Sequence, residues 1–351
     1  MLAKVSHILP FTLIRRERLL PAPGRILVRK GQKVTATDPI GEYLPRQDFY
    51  LVDVARVLGI PAERVNSFIQ CEAGAKIAQN DIIAGPTGFT RKLIRSPKSG
   101  KVILAGGGQV LIELDEQALV VPAGFSGEVV DLISDRGVVM ETTGALIQGV
   151  WGNGLVDFGP LVNLAASPDD ELTLEKLDMS QRGAVILAGY CRDSQVLERA
   201  SQLPIRGLIL GGLDTALKDV LFSLAFPVII LEGFGKFAIN LLAHKLLVSH
   251  EQREISLNAE QVDVFKGKQP EIVISLPTSG QLIQPQKSDY YASQKKVRVL
   301  NSNHARSIGT ITRLKGVMEL PSGIRTQVAE VCLDQTGEEI VFPLQNLEIL
   351  A

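Results

Sequence analysis

Between Ala184 and Ala259, short apolar runs alternate with amphipathic segments. AVILAGY, GLILGG and PVIILEGFG are hydrophobic at consecutive positions, and REISLNA follows them. Runs of Ile, Leu and Val that are apolar on both faces predict strands of a parallel sheet covered on both sides. Between the runs, Asp193 stands where it can cap a helix that buries Val196, Leu197, Ala200 and Leu203. Asp214 stands likewise before Leu217, Val220, Leu221 and Leu224. A third helical segment, FAINLLAHKLLVSH, sets Ile239, Leu242 and Leu246 on its core face and His244 opposite them. REISLNA is the expected fourth strand. The alternation predicts a small doubly wound parallel αβ domain of Rossmann-like type over residues 181–276.

Residues 20–180 follow a different rhythm. GRILVRKGQKVTATDPIGE, CEAGAKIAQNDIIAG and LIRSPKSGKVILAGGGQVLIEL are short apolar strands parted by glycine-containing turns. A helical insertion is expected near 48–70, where Leu51, Val54, Ala55 and Leu58 are helically spaced. Gly59 would stop that helix and Pro61 start another. GFSGEVVDLI and RGVVMET read as a hairpin turning at Asp135-Arg136-Gly137. GALIQGVWGNG, with the single tryptophan Trp151, reads as an inter-domain loop holding the indole as a plug. Residues 1–19 read as an N-terminal extension and 277–294 as a polar linker. The last segment, 295–351, is again β-patterned, so the chain is expected to be multi-domain, α/β plus β.

Composition narrows the function classes. The formal net charge is −1, so the chain is not basic overall, and aromatics are 5% of residues, too few for a broad base-stacking platform. Cys71, Cys191 and Cys332 have no metal-ligand spacing, which points to a reducing compartment and a cytoplasmic location. The arginines near the start follow the apolar stretch, the reverse of a signal peptide. No apolar run reaches the ~18 residues of a spanning helix.

The candidate chemistry sits at the carboxyl ends of the three apolar runs. There Gly189, Gly211, Gly212, Glu232, Gly233 and Gly235 could let a backbone approach a small anionic ligand, with Glu232 as anchor or base. The same glycines could simply turn each strand into its helix. Neither a dinucleotide nor a P-loop fingerprint is present, and no cofactor is expected. Cys191 lies before a capped helix, a placement that can lower a thiol pKa, but no histidine can be assigned as its base. His244 and His250 lack partners at ligand spacing and read as structural or solvent-exposed.

GRILVRKGQKV…DPIGE and SPKSGKV resemble the barrel-sandwich hybrid domains of biotinyl and lipoyl carriers. The resemblance implies a compact β scaffold. The carriers' lysine context is missing, so Lys98 is expected to be a turn residue. VRVLNSNHARSIGTITRL, centred on Gly309, and VFPLQNLEIL resemble a KOW-type SH3-like barrel, which implies docking on RNA, ribosomes or RNA polymerase. Arg298, Arg306, Arg313 and Lys315 would then form its phosphate-facing surface. Taken together, GRILVRKGQKV, GALIQGVWGNG, ILEGFG and PEIVI resemble a prokaryotic family with no activity assigned to it. NAEQVDVFKGKQPEIVI departs from that family's motif before the last strand.

The leading expectation is a non-enzymatic assembly or adaptor protein that binds a protein partner through its β modules. The alternatives are an anionic-ligand site in the αβ domain and an RNA- or ribosome-associated factor acting through the last barrel.

Overall fold

The computed structural model describes residues 2–351 apart from 46–47, 88–91, 116, 264–267, 278–284, 286–287, 302 and 305. Strands dominate, arranged in several open sheets. The three apolar runs form the parallel strands Val185–Cys191, Gly207–Leu213 and Val228–Phe234, every residue of the first two being buried. Their side chains alternate between two cores. Ile186, Ala188, Leu208, Leu210, Val228 and Ile230 enter one, and Val185, Leu187, Ile209, Ile229 and Leu231 the other. Each fully buried Val, Leu or Ile contributes roughly 1.5–3 kcal/mol, so this stack is the mechanical centre of the molecule.

The winding differs from expectation. The parallel strands run in the order Val228–Phe234, Gly207–Leu213, Val185–Cys191, Val156–Asn163, which is reverse chain order with no break. All three connections pack on one face, through Leu172 and Leu177, then Val196, Leu197 and Ala200, then Leu217 and Leu221. A switch point needs successive crossovers on opposite faces, and this sheet is wound on one face only. The second face is covered by the helix Leu241–Val248, which leads not to a parallel strand but to Glu254–Asn258, antiparallel beside Val156–Asn163. The expected fourth parallel strand is therefore an antiparallel return, and the fourth parallel member comes from upstream of the predicted domain.

Local expectations fared unevenly. Asp193 caps Ser194–Gln202 by accepting a hydrogen bond from the backbone N–H of Gln195. Asp214 caps as well, but it opens a pair of 3₁₀ turns, Thr215–Leu217 and Val220–Ser223, rather than an α-helix. In Leu241–Val248 the buried positions are Ala243 and Leu247, while Leu242 is 58% exposed, so the helix is rotated from the expected face.

The sheet does not end with the αβ unit. Glu254–Asn258 pairs with Glu271–Ser275, which pairs with Gly137–Gln148, and that strand pairs along its length with Ile8–Leu19. The hairpin Gly127–Ile133 to Gly137–Gln148 is formed where predicted, with Ile133 opposite Gly137. Residues 1–19 are thus no appendage. Ile8–Leu19 belongs to the long sheet, and Leu2–Ser6 is an interior strand, second from the edge, of a seven-stranded C-terminal sheet. In that sheet Leu2–Ser6 pairs in parallel with Leu347–Leu350, so both ends of the chain share one core with Val297, Val299 and Ile311. Half of the linker expected at 277–294 lies outside the described residues, and within the described half Ser288–Tyr290 is a strand paired with Leu2–Ser6.

Pro39–Tyr43 pairs with Leu119–Pro122, so the chain leaves and re-enters this β region at adjacent strands. The segment between them is an inserted unit with its own core of Val52, Val54, Val65, Ile83, Val102, Val110 and Ile112. The expected helical insertion is part of this larger β unit. Phe49–Asp53 is a strand, so Leu51 is not helical, and the helix spans only Val54–Leu58 before Gly59 ends it with φ +71°.

Candidate functional site at the carboxyl edge of the parallel sheet

The carboxyl ends of the parallel strands are packed by the chain itself. A Cβ at Gly189 would overlap the carbonyl of Asp170, because residues 168–172 run alongside that strand. At Gly211 it would lie 2.7 Å from Ile239 Cγ1, and at Gly212 it would overlap the carbonyl of Gly235. Gly233, at φ +147°, would place a Cβ 2.9 Å from an Nη of Arg306. Gly235, at φ +131°, would put one 2.9 Å from the Phe237 ring. The glycines permit close approach, as their pattern suggested. What approaches is the protein's own backbone, the side chains of Ile239 and Phe237, and Arg306 from the turn before Ile308–Glu319.

Glu232, only 3% exposed, is held from two sides. Its Oε1 accepts a hydrogen bond from the Asn240 backbone N–H at 3.0 Å, and its Oε2 lies 3.3 Å from Arg298 Nη2. Asn240 in turn caps Leu241–Val248, its Oδ1 accepting from the Leu242 N–H. Arg298 is 1% exposed and reaches Glu348 through Nη1 at 3.5 Å. Arg298 and Glu348 are cross-strand partners on Lys296–Val299 and Leu347–Leu350, both on the face turned away from the core of Val297, Val299, Leu347 and Ile349. The Ser6 hydroxyl donates to Glu348 Oε1 at 2.8 Å, which brings in the N-terminal strand.

Arg306 completes the cluster with its guanidinium 5.9 Å from the centre of the Phe237 ring. Burial lowers its pKa, and repulsion from Arg298 adds to that, against attraction to Glu232 and Glu348. Two carboxylates and two guanidiniums therefore meet in one desolvated place with balanced charge. A buried ion is tolerated only when it is paired and hydrogen-bonded, and here the pairing joins the N-terminal strand, the αβ unit and the C-terminal sheet.

Of the residues singled out from sequence, Glu232, Gly233, Arg298 and Arg306 come together, but as an internal clamp joining two supposed sites. Arg298 is not on a solvent-facing basic surface. Arg313 is exposed, and Lys315 forms an ion pair with Glu330. Glu348 and Ser6 were missed. The signal for Glu348 was a charge inside the apolar strand LEIL, which reads equally well as an ordinary outward-facing residue, and Ser6 carried no such signal.

Cys191 is fully buried, and burial pushes its thiol up to about 11, against a smaller opposing contribution from the Asp193 backbone. The helix N-terminus beside it does not overcome desolvation, so the thiolate is suppressed at neutral pH. His250 sits in the turn after its helix, with Nδ1 2.8 Å from the Leu246 carbonyl oxygen. Lys98 is exposed in its turn, where the Ser96 hydroxyl donates to the Lys98 carbonyl at 2.6 Å. Trp151 packs edge-on against Phe222 and Phe234, each ring centre 5.6 Å away, on a short strand beside Val228–Phe234. Among the described residues, no group of three or more His, Cys, Asp or Glu is placed to hold a metal ion, and no helix is long and apolar enough to cross a membrane.

Comparison with known proteins adds no candidate role: no protein-family model matches the chain, and no curated protein matches it.

Proposed function

We propose that this protein is a non-catalytic assembly scaffold that binds a protein partner through its β modules, with the αβ unit as its rigid core. The observation that carries this reading is the use made of the carboxyl edge. Glu232 is spent on Arg298, and Arg306 fills the space beside Gly233. An anionic ligand at that edge would have to displace both guanidiniums and strand a buried carboxylate. Exposed apolar strand surface lies on the inserted β unit and on the C-terminal sheet, the latter resembling by sequence a KOW-type fold. There Phe49, Leu51, Val317 and Ile324 are each more than half exposed. Contiguous exposed apolar strand surface on a soluble domain marks an interaction site.

The RNA-associated alternative is weakened by the same clamp, since Arg298 and Arg306 point into the molecule and Lys315 is paired. Affinity capture of the tagged full chain at low and moderate salt tests the choice. A single stoichiometric protein retained at moderate salt, and lost on Leu51→Lys or Val317→Glu substitution, is the expected result. Recovery of RNA or ribosomal proteins that elute with salt would overturn it.

A further inference from the structure

One guanidinium of the long sheet has no counter-ion of its own. On Ile8–Leu19, Arg16 and Arg18 project to the same face as Ile14, the face that enters a core with their cross-strand partners Met140 and Val138. Arg15 and Glu17 project the other way. Arg16 takes both oxygens of Glu271 in a fork, Nε to Oε1 at 2.7 Å and Nη2 to Oε2 at 2.6 Å. Lys268 takes Glu260 at 3.0 Å. Those are the two carboxylates whose charge reaches Arg18. Among the described residues, three cations therefore share two carboxylates, and Arg18 is left over. It makes no ion pair, and its buried Nε has no hydrogen-bond partner.

The fold makes room for this charge. Gly124, at φ +83°, lies between the core residues Ala123 and Phe125. A Cβ there would stand 2.5 Å from Arg18 Nη2 and 3.0 Å from its Cζ, so the guanidinium rests against the Gly124 backbone. Burial lowers the Arg18 pKa, against attraction from Glu260 and Glu271. An arginine does not shed its proton inside a protein, so the penalty of the unpaired charge persists until an anion meets it. The residue is half-buried rather than sealed, which leaves a way in from solvent.

We propose that Arg18 holds the carboxylate of a small-molecule ligand, with Gly124 as the wall that sets the guanidinium in place. A guanidinium fork matches the two oxygens of a carboxylate or a phosphate. The charge count selects between them. One negative charge balances Arg18, whereas a phosphate dianion would bring an excess up to Glu260 and Glu271. The site uses none of the residues at the carboxyl edge of the parallel sheet and does not rest on the scaffold reading.

Titration calorimetry on the purified full chain with butyrate, and in parallel with inorganic phosphate and chloride, tests this at constant ionic strength in carboxylate-free buffer. The expected result is saturable one-to-one butyrate binding that Arg18→Met weakens by about tenfold or more. Arg18→Lys, which keeps the charge without the fork, should weaken it less. Thermal unfolding separates a ligand-holding role from a structural one. Replacing an unpaired buried cation by an apolar chain of similar length should let Arg18→Met melt at or above the parent when no butyrate is present. Wild-type protein without saturable butyrate binding overturns the proposal, and so does binding that Arg18→Met leaves unchanged. An Arg18→Met variant that fails to fold, or melts well below the parent, gives Arg18 a structural part and overturns it too. Phosphate or chloride bound as tightly as butyrate would reveal an unselective anion site and overturn the carboxylate assignment.

Discussion

The carboxyl edge of the parallel sheet and the Phe49–Asp53 edge invert what their sequences suggest. The first has the glycines, the acidic residue and the strand-to-helix turns of a ligand site, yet it is closed by Ile239, Gly235 and Arg306 from the same chain. The second is an ordinary apolar run, yet it leaves Phe49 and Leu51 more than half exposed. Glycine reports that something comes close, not what comes. An apolar run reports a face to be covered, not whether this chain covers it. Charge behaves the same way along a single sheet. Arg298 is buried between two carboxylates, and Arg313, on the neighbouring strand, faces solvent.

The contrast breaks most sharply at Arg298. Arg298→Met leaves Glu232 and Glu348 buried without their shared counter-ion and is expected to cost about 3–5 kcal/mol in chemical denaturation. Adding Glu232→Gln and Glu348→Gln to it should recover much of that loss. If the single variant were as stable as the parent, the clamp would not be holding the units together.

The glycines come next. Gly212→Ala drives a methyl into the Gly235 carbonyl and is expected to destabilise by about 1–3 kcal/mol. The same change at Gly323, where φ is +80° and the space beside it is open, acts through backbone strain alone. A smaller loss at Gly212 than at Gly323, measured by thermal unfolding, would argue that the carboxyl edge is looser than its packing implies.

Thiol reactivity sharpens the comparison without a mutation. With its thiol at about 11, Cys191 should resist alkylation in native protein near pH 8, and its rate should climb as pH rises toward that value. Cys332, which is only partly buried, should react first. Fast modification of Cys191 in folded protein would restore it as a candidate nucleophile. The smallest effect belongs to the hairpin of Ile308–Glu319 and Arg325–Leu333. Its Lys315–Glu330 ion pair is partly exposed, so Lys315→Ala should cost only about 0.2–1 kcal/mol. A larger loss would mean that the hairpin is more firmly packed than its exposure indicates.

Much of the local structure was legible. The continuous runs at 185–191, 207–213 and 228–234 became buried parallel strands, because residues apolar at successive positions can be satisfied only between two covering layers. Asp193, Asp214 and Gly59 act where their chemistry said they would, since caps depend on three or four neighbouring residues. The Asp135-Arg136-Gly137 turn is local for the same reason. The candidate site was legible only as a crowded place. Its glycines marked close approach, while the identity of what approaches came from residues such as Arg306, more than seventy positions away.

What the sequence by itself determined was therefore the set of pieces: which runs are strands, where they stop, and that two layers must cover the central ones. Tertiary structure alone decided that Leu2–Ser6 lies beside Leu347–Leu350, and that Ser6, Glu232, Arg298 and Glu348 share one interior. It also decided that the αβ sheet is wound on one face. Strand and cap preferences act over a few residues, whereas the pairing of distant strands and buried charges is settled by which global packing leaves no ion alone.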